Sequence, residues 1–194
     1  MSDTASALAH ELISAALKAG ADAAEAAVAE RQSLSVGVRL GELEEVEREE
    51  SRDLGLRVFI GKRQASVSSS DLSPKTAARL VERAVAMAKL APEDPYCGLA
   101  PEDRLMRGPL PDLDLFDPAE PSAADLENRA REAEDSARAI PGVTNSEGGS
   151  ASWSGGRWRL VTAGGFEGEH HGTASSRSAS STSAGARVSG SSAG

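Results

Sequence analysis

Cysteine is nearly absent from this chain. Cys97 stands alone, so no internal disulfide can form and the disulfide-stapled small folds are excluded. Three histidines in 194 residues leave little material for a Ser/His/Asp relay or a histidine-rich metal cage. Aromatic residues make up 3%, so a core must be assembled from Ala, Leu and Val. No run approaches the roughly eighteen apolar residues that a membrane span needs, and no basic, apolar, small-residue leader precedes the first helical pattern. A cytoplasmic protein is the expectation. Positive charge is the scarce sign: 21 Lys and Arg against 30 Asp and Glu give a formal charge of −9, which argues against nucleic acid as a partner.

What is present is alternation. Leu34, Val36, Val38 and Leu40 alternate with Ser35, Gly37 and Arg39, the period of a strand with one dry and one wet face. Gly41-Glu42 marks a turn. Leu43 and Val46 then sit among six glutamates between Glu42 and Glu50, which predicts a strand with an acidic outer face and a bulge. Leu54, Leu56, Val58 and Ile60 restore the alternation, Gly61-Lys62 turns the chain, and Gln64 to Ser70 returns. The stretch from Leu34 to Ser70 reads as three or four short strands in an antiparallel meander, with a further strand near Ala24 to Arg31.

Helical patterns flank it. Residues 4–19 carry Leu8, Leu12, Ala15 and Ala16 on one stripe, with Thr4 or Ser6 as cap and Gly20 as stop. Ser73-Pro74 opens a helix to Lys89 with Ala77, Leu80, Val81, Ala84, Val85 and Ala88 inside. Pro92, Pro95, Pro101, Pro109, Pro111 and Pro118 then forbid regular structure, although Tyr96, Leu99, Leu105, Leu113, Leu115 and Phe116 predict that the segment packs. Pro118 to Ala139 reads as a third helix, with Ser122 as cap and Leu126, Ala130, Ala133, Ala137 and Ile140 inside. Val143 to Trp153, a Gly155-Gly156 turn, Trp158 to Thr162 and Phe166 onward form a second strand unit. The fold class is α+β, helices on antiparallel meanders, with helix-then-meander appearing twice. The expected division is 1–90, a Pro-rich wrapping segment 91–118, 119–172, and a low-complexity tail 173–194 that reads as disordered, truncated or altered in frame.

The candidate chemistry is thin. His10-Glu11 opens like a zinc-protease helix, but Ser14 and Ala15 stand where a second histidine is required. Glu167, Glu169, His170 and His171 form the one dense group of metal-capable side chains. On a strand Glu167, Glu169 and His171 share a face and His170 faces away, and a charged surface strand explains them more simply than a metal. Gly148-Gly149 and Gly164-Gly165 read as turns, not phosphate loops. Ser150 and Ser152 lack nucleophile-elbow spacing. Cys97 fits a small buried filler. Trp153 and Trp158 suggest either a cross-strand pair or a docking point. The acidic run Glu42–Glu50 suits a solvated sheet edge, or a cation or basic partner. No residue is assigned a catalytic, cofactor-binding or metal-binding role.

Several separated segments resemble the amino-terminal region of the TldD/TldE family, closer to its TldE (PmbA) branch, once labelled modulator of DNA gyrase. They are Gly20 to Glu25, Val38 to Glu44, Gly61-Lys62-Arg63, Ser69 to Pro74, Glu93 to Leu99, Pro111 to Asp117 and Gly142 to Gly148. The resemblance implies a two-subunit zinc metalloprotease. In that pair the TldD subunit carries an HExxxH helix, the TldE subunit has none, and the substrates are unfolded or short peptides, including a microcin precursor and an antitoxin. This sequence has no HExxxH, so zinc is expected in a TldD-like partner. The alternative is a non-enzymatic interaction domain, gyrase-related as the old label suggests.

Overall fold

The computed structural model describes residues 2–108, 111–183 and 186–193. Met1, Pro109 and Leu110 and residues 184, 185 and 194 lie outside them. Helix α1 (Ser2–Lys18) precedes β1 (Ala23–Arg39), β2 (Glu42–Ile60) and β3 (Arg63–Ser69); α2 (Pro74–Leu90) follows, then α3 (Ala123–Arg138) and β4 (Val143–Thr162), β5 (Glu167–Ser183) and β6 (Ala186–Ala193). The strands form one antiparallel sheet in the order β3-β2-β1-β4-β5-β6, an α+β fold in which a helix followed by a meander occurs twice.

Contacts divide the chain into two units that are discontinuous in sequence. The first comprises Met1–Glu30, Ser51–Asp112 and Arg157–His170. Its core joins Leu12, Ile13 and Ala16 of α1 and Leu80, Val81 and Val85 of α2 to the alternating residues Ala24, Ala26 and Val28 of β1 and Leu54, Leu56 and Val58 of β2. Alanine at 9, 16, 24, 26, 84 and 88 keeps the layers close, which offsets the scarcity of aromatics. The start of α2 matches its sequence signals: Ser73 Oγ accepts from Thr76 N at 3.3 Å, with Pro74 in the first turn.

The second unit comprises Arg31–Glu50, Leu113–Gly156 and His171–Gly194. Here Leu126 and Ala130 of α3 pack on Leu34, Val36 and Val38 of β1 and on Ala151 and Trp153 of β4. A capping box of Ser122 and Asp125 starts α3. The helix lies so close to β4 at Gly149 that a Cβ there would collide with the Ala130 carbonyl oxygen and come within 3.0 Å of Glu134 Cβ.

Several expectations change. The short strands expected before Gly61 merge into β1 and β2, one long hairpin, because nothing between Arg31 and Ser33 interrupts β1 even though no apolar side chain supports it, while the short returning strand is present as β3. Leu43 and Val46 are not inward: they are 46% and 49% exposed, and every residue from Glu42 to Glu50 is exposed, since the apolar cover of the second unit stops at Leu34–Val38. Gly148-Gly149 and Gly155-Gly156 lie within β4 rather than in turns. In the Pro-rich segment only Cys97 is buried among the described residues, and Tyr96 is 95% exposed. α1 already starts at Ser2, so Ser6 is an interior helix residue and not a cap. The low-complexity tail, expected to be disordered, enters β5 and β6. Hydroxyl pairs replace apolar burial there: Ser150 Oγ meets Ser178 Oγ at 2.9 Å and Ser152 Oγ meets Ser176 Oγ at 2.8 Å.

Candidate functional site

The metal-capable group singled out in the sequence does assemble in part, but around an arginine. Glu167 and Glu169 share a face of β5, and both grip Arg159 of β4, Glu167 at 3.1 Å. Arg157 reaches Glu169 at 3.3 Å. From α1, Ser6 donates to Glu167 at 2.7 Å and His10 Nε2 lies 3.4 Å from the same carboxylate. The Ser6 hydroxyl, against the opposing effect of burial and with help from His10 and the Arg159 charge, holds the Glu167 carboxyl below the ordinary glutamate range. The neighbouring histidines have separate neighbours: His171 stacks on Phe116 at 3.5 Å and His170 lies 6.5 Å from Trp158. Zinc does not fit this donor set. A dication would have to displace two guanidinium groups, and among the described residues no three His, Cys, Asp or Glu side chains are grouped as ligands.

The remaining candidates disperse. Ser150 and Ser152 belong to the hydroxyl ladder. Trp153 is buried in the second unit, whereas Trp158, on the same strand, is 44% exposed, so the two rings do not pair across a hairpin. Cys97 is buried and free.

The acidic run has the clearest geometry for recognition. β3 pairs with β2 only from Leu54↔Ser69 to Ile60↔Arg63, so residues 42–53 of β2 have no strand beside them on that edge among the described residues. Its charge is only partly balanced: Arg48 contacts Glu50 at 3.1 Å and Glu120 at 2.6 Å, and Arg39 lies 3.9 Å from Glu44. A strand edge with a carboxylate fringe repels a second acidic strand.

Sequence reasoning missed Glu134. It is fully buried, and its carboxylate accepts from Leu40 N at 2.8 Å, from Gly41 N at 2.9 Å and from the Ser146 hydroxyl. The turn it holds is left-handed at both residues, φ 51° at Leu40 and 81° at Gly41, the conformation of a tight two-residue hairpin. The available signal was spacing: Leu126, Ala130 and Glu134 lie four apart on one stripe of α3.

Comparison with known proteins gives the class first. Residues 24–88 match the family model for PmbA/TldA metallopeptidase domain 1. The chain is 41% identical over 145 residues to Metalloprotease PmbA of Escherichia coli O157:H7, covering 73% of this chain and 32% of that one. It is 40% identical over 136 residues to the PmbA homolog of Haemophilus influenzae, 70% and 30% of the two chains. Over this first domain the chain is similar to the PmbA/TldA metallopeptidase family, on the PmbA side, and it spans about a third of the length of those relatives. Two solved structures share the fold over 96% of this chain. One, from Bacteroides thetaiotaomicron and named as a modulator of DNA gyrase, has a TM-score of 0.85 at 24% identity with 43% of its own chain covered. The other, TldE from Thermococcus kodakarensis, has a TM-score of 0.76 at 19% identity with 42% covered.

Proposed function

We propose that the chain is the PmbA/TldE-type subunit of a two-subunit metallopeptidase acting on unfolded or short peptides in the cytoplasm, with zinc held by a TldD-like partner. It contributes shape, not a metal. The observation that carries this reading is the open edge of β2 at residues 42–53, which offers unpaired backbone donors and acceptors to an extended chain. The PmbA relatives supply the reaction class, and the arginines seated among Glu167 and Glu169 support placing the metal elsewhere.

The test is co-expression with a TldD-like protein of the same genome, purification through a tag on this chain, zinc analysis, and cleavage of an unstructured fluorogenic peptide. A zinc-containing complex that cleaves, where this chain alone does not, is expected. Failure to associate, or cleavage by this chain alone, overturns the reading. A second reading, a non-enzymatic interaction domain, is favoured by the structural neighbour named as a modulator of DNA gyrase. Retention of gyrase subunits by this chain without any zinc protein would select it.

A further inference from the structure

The face of the first unit's sheet opposite its core carries a trough of about 630 Å³ that no part of the proposed reaction uses. Alternation builds it. Because Leu56, Val58, Ala65 and Val67 point into the core, their neighbours Arg57 and Ser66 point the other way, directly opposite each other across β2 and β3, and Gly55 faces Ser68 in the next such pair. Gly55 and Ala27 leave the floor bare. Leu160 of β4 closes one end, and Arg83 of α2 lines the trough as well.

The polar groups are unbalanced. Arg57 pairs with Glu25 of β1 and lies 5.4 Å from the centre of the Phe59 ring, so its guanidinium is fixed in place. Its Nε is buried and donates to nothing among the described residues. Arg83 has no ion pair, and neither the Ser66 nor the Ser68 hydroxyl has a hydrogen bond, among the described residues. Two guanidinium groups against one carboxylate leave one positive charge, with two hydroxyl donors beside it, in a chain of net charge −9. One surplus charge matches a carboxylate better than a dianionic phosphate. From β3 to β4 the trough crosses four neighbouring strands, roughly 14 Å at the usual strand spacing, which is the span of about four extended residues.

We infer that this trough binds an extended peptide segment by a carboxylate at the β3 end, held by Arg83, Arg57, Ser66 and Ser68, with an apolar side chain against Leu160. The carboxylate comes from a chain terminus or from an acidic side chain. This binding needs no partner subunit and no cleavage, so it stands or falls separately from the function proposed above.

Calorimetric titration of the full 194-residue chain tests it with three acetylated peptides: Leu-Ala-Ala-Ala ending in a free carboxylate, the same peptide ending in an amide, and Leu-Ala-Ala-Asp ending in an amide. Saturable binding of either carboxylate peptide, at least tenfold tighter than the neutral one, is expected, and the tighter of the two identifies the source. Equal binding of the neutral peptide, no binding of any, or tighter binding of inorganic phosphate overturns the inference. Arg83→Met, at an exposed helix position, should weaken binding at least tenfold without changing the circular dichroism spectrum. Gly55→Val should abolish binding while leaving the protein folded, because a Cβ at Gly55 meets nothing nearer than the Ala27 carbonyl oxygen at 3.9 Å. Unchanged affinity in both variants would refute the assignment.

Discussion

Replacing Glu134 by alanine should be among the most damaging single changes in the second unit. The carboxylate receives three hydrogen bonds, and its removal strands the Leu40 and Gly41 N–H groups and the Ser146 hydroxyl beside a helix that excludes most water. An unpaired buried donor costs about 1–3 kcal/mol, and because the turn itself is partly exposed the lower half of that range applies to each of the three, about 3–6 kcal/mol in all. Glu134→Gln keeps one acceptor oxygen but turns an N–H2 donor toward another donor, and should cost about 1–2 kcal/mol. Urea unfolding gives the two free energies, and amide exchange at Leu40 and Gly41 reports the hairpin directly. If Glu134→Ala unfolds within about 0.5 kcal/mol of the parent and both amides keep their protection, the latch is not stabilising and the reasoning fails.

The same carboxylate sets a pH dependence. Burial pushes its pKa up, but the hydrogen bonds from Ser146, Gly41 and Leu40 and the Arg138 charge outweigh burial and hold it below the ordinary value of 4.5. A group whose folded pKa is depressed contributes its stability above the unfolded pKa and loses it as pH falls through the folded one. The difference between the parent and Glu134→Gln should therefore be constant above pH 4.5 and shrink progressively below it.

Three further outcomes can be measured by the same unfolding assay. Leu40→Asn should stabilise by about 0.5–1 kcal/mol, because leucine at φ 51° bears a left-handed strain that asparagine tolerates; a loss would mean the Leu40 side chain contributes packing. Gly149→Ala should cost about 2 kcal/mol or more, since the new Cβ must push α3 off β4 at the Ala130 carbonyl, and a neutral result would contradict that close approach. Ser122→Ala should cost about 1 kcal/mol by removing the cap of α3, with no effect on Gly149.

How much of this was legible depends on whether a residue's environment is local. Ser73-Pro74 and Ser122 announce helix starts because a cap acts on groups three residues away, and both are caps. Leu54, Leu56 and Val58 announce a half-buried strand because alternation is a property of the strand itself. Strand length was hidden at Arg31–Ser33, where only backbone pairing continues β1. Gly155-Gly156 gave a false turn signal, because two glycines also suit a strand crowded by a ring: a Cβ at Gly155 would lie 3.0 Å from the Trp153 side chain. Glu134 was hidden among Glu127, Glu132 and Asp135, which look like one solvated face until the hairpin turn is placed against it. The trough was hidden for the same reason, since Arg57, Arg83 and Ser66 meet only when α2, β2 and β3 are assembled.

The acidic edge of β2 has to satisfy two demands that pull apart. Unpaired backbone groups along residues 42–53 are what an extended ligand needs, and they are equally what a second copy of the same strand needs. Six glutamates between Glu42 and Glu50, with Arg48 held by Glu50 and Glu120, resolve the conflict, because two such edges cannot approach without bringing like charges together. The charge contributes selectivity more than affinity: exposed carboxylates are screened beyond about 10 Å at 0.1 M salt, whereas main-chain hydrogen bonds formed by strand addition are not. On the proposed function, a ligand of this edge is therefore selected by lacking acidic residues, and bound by its backbone.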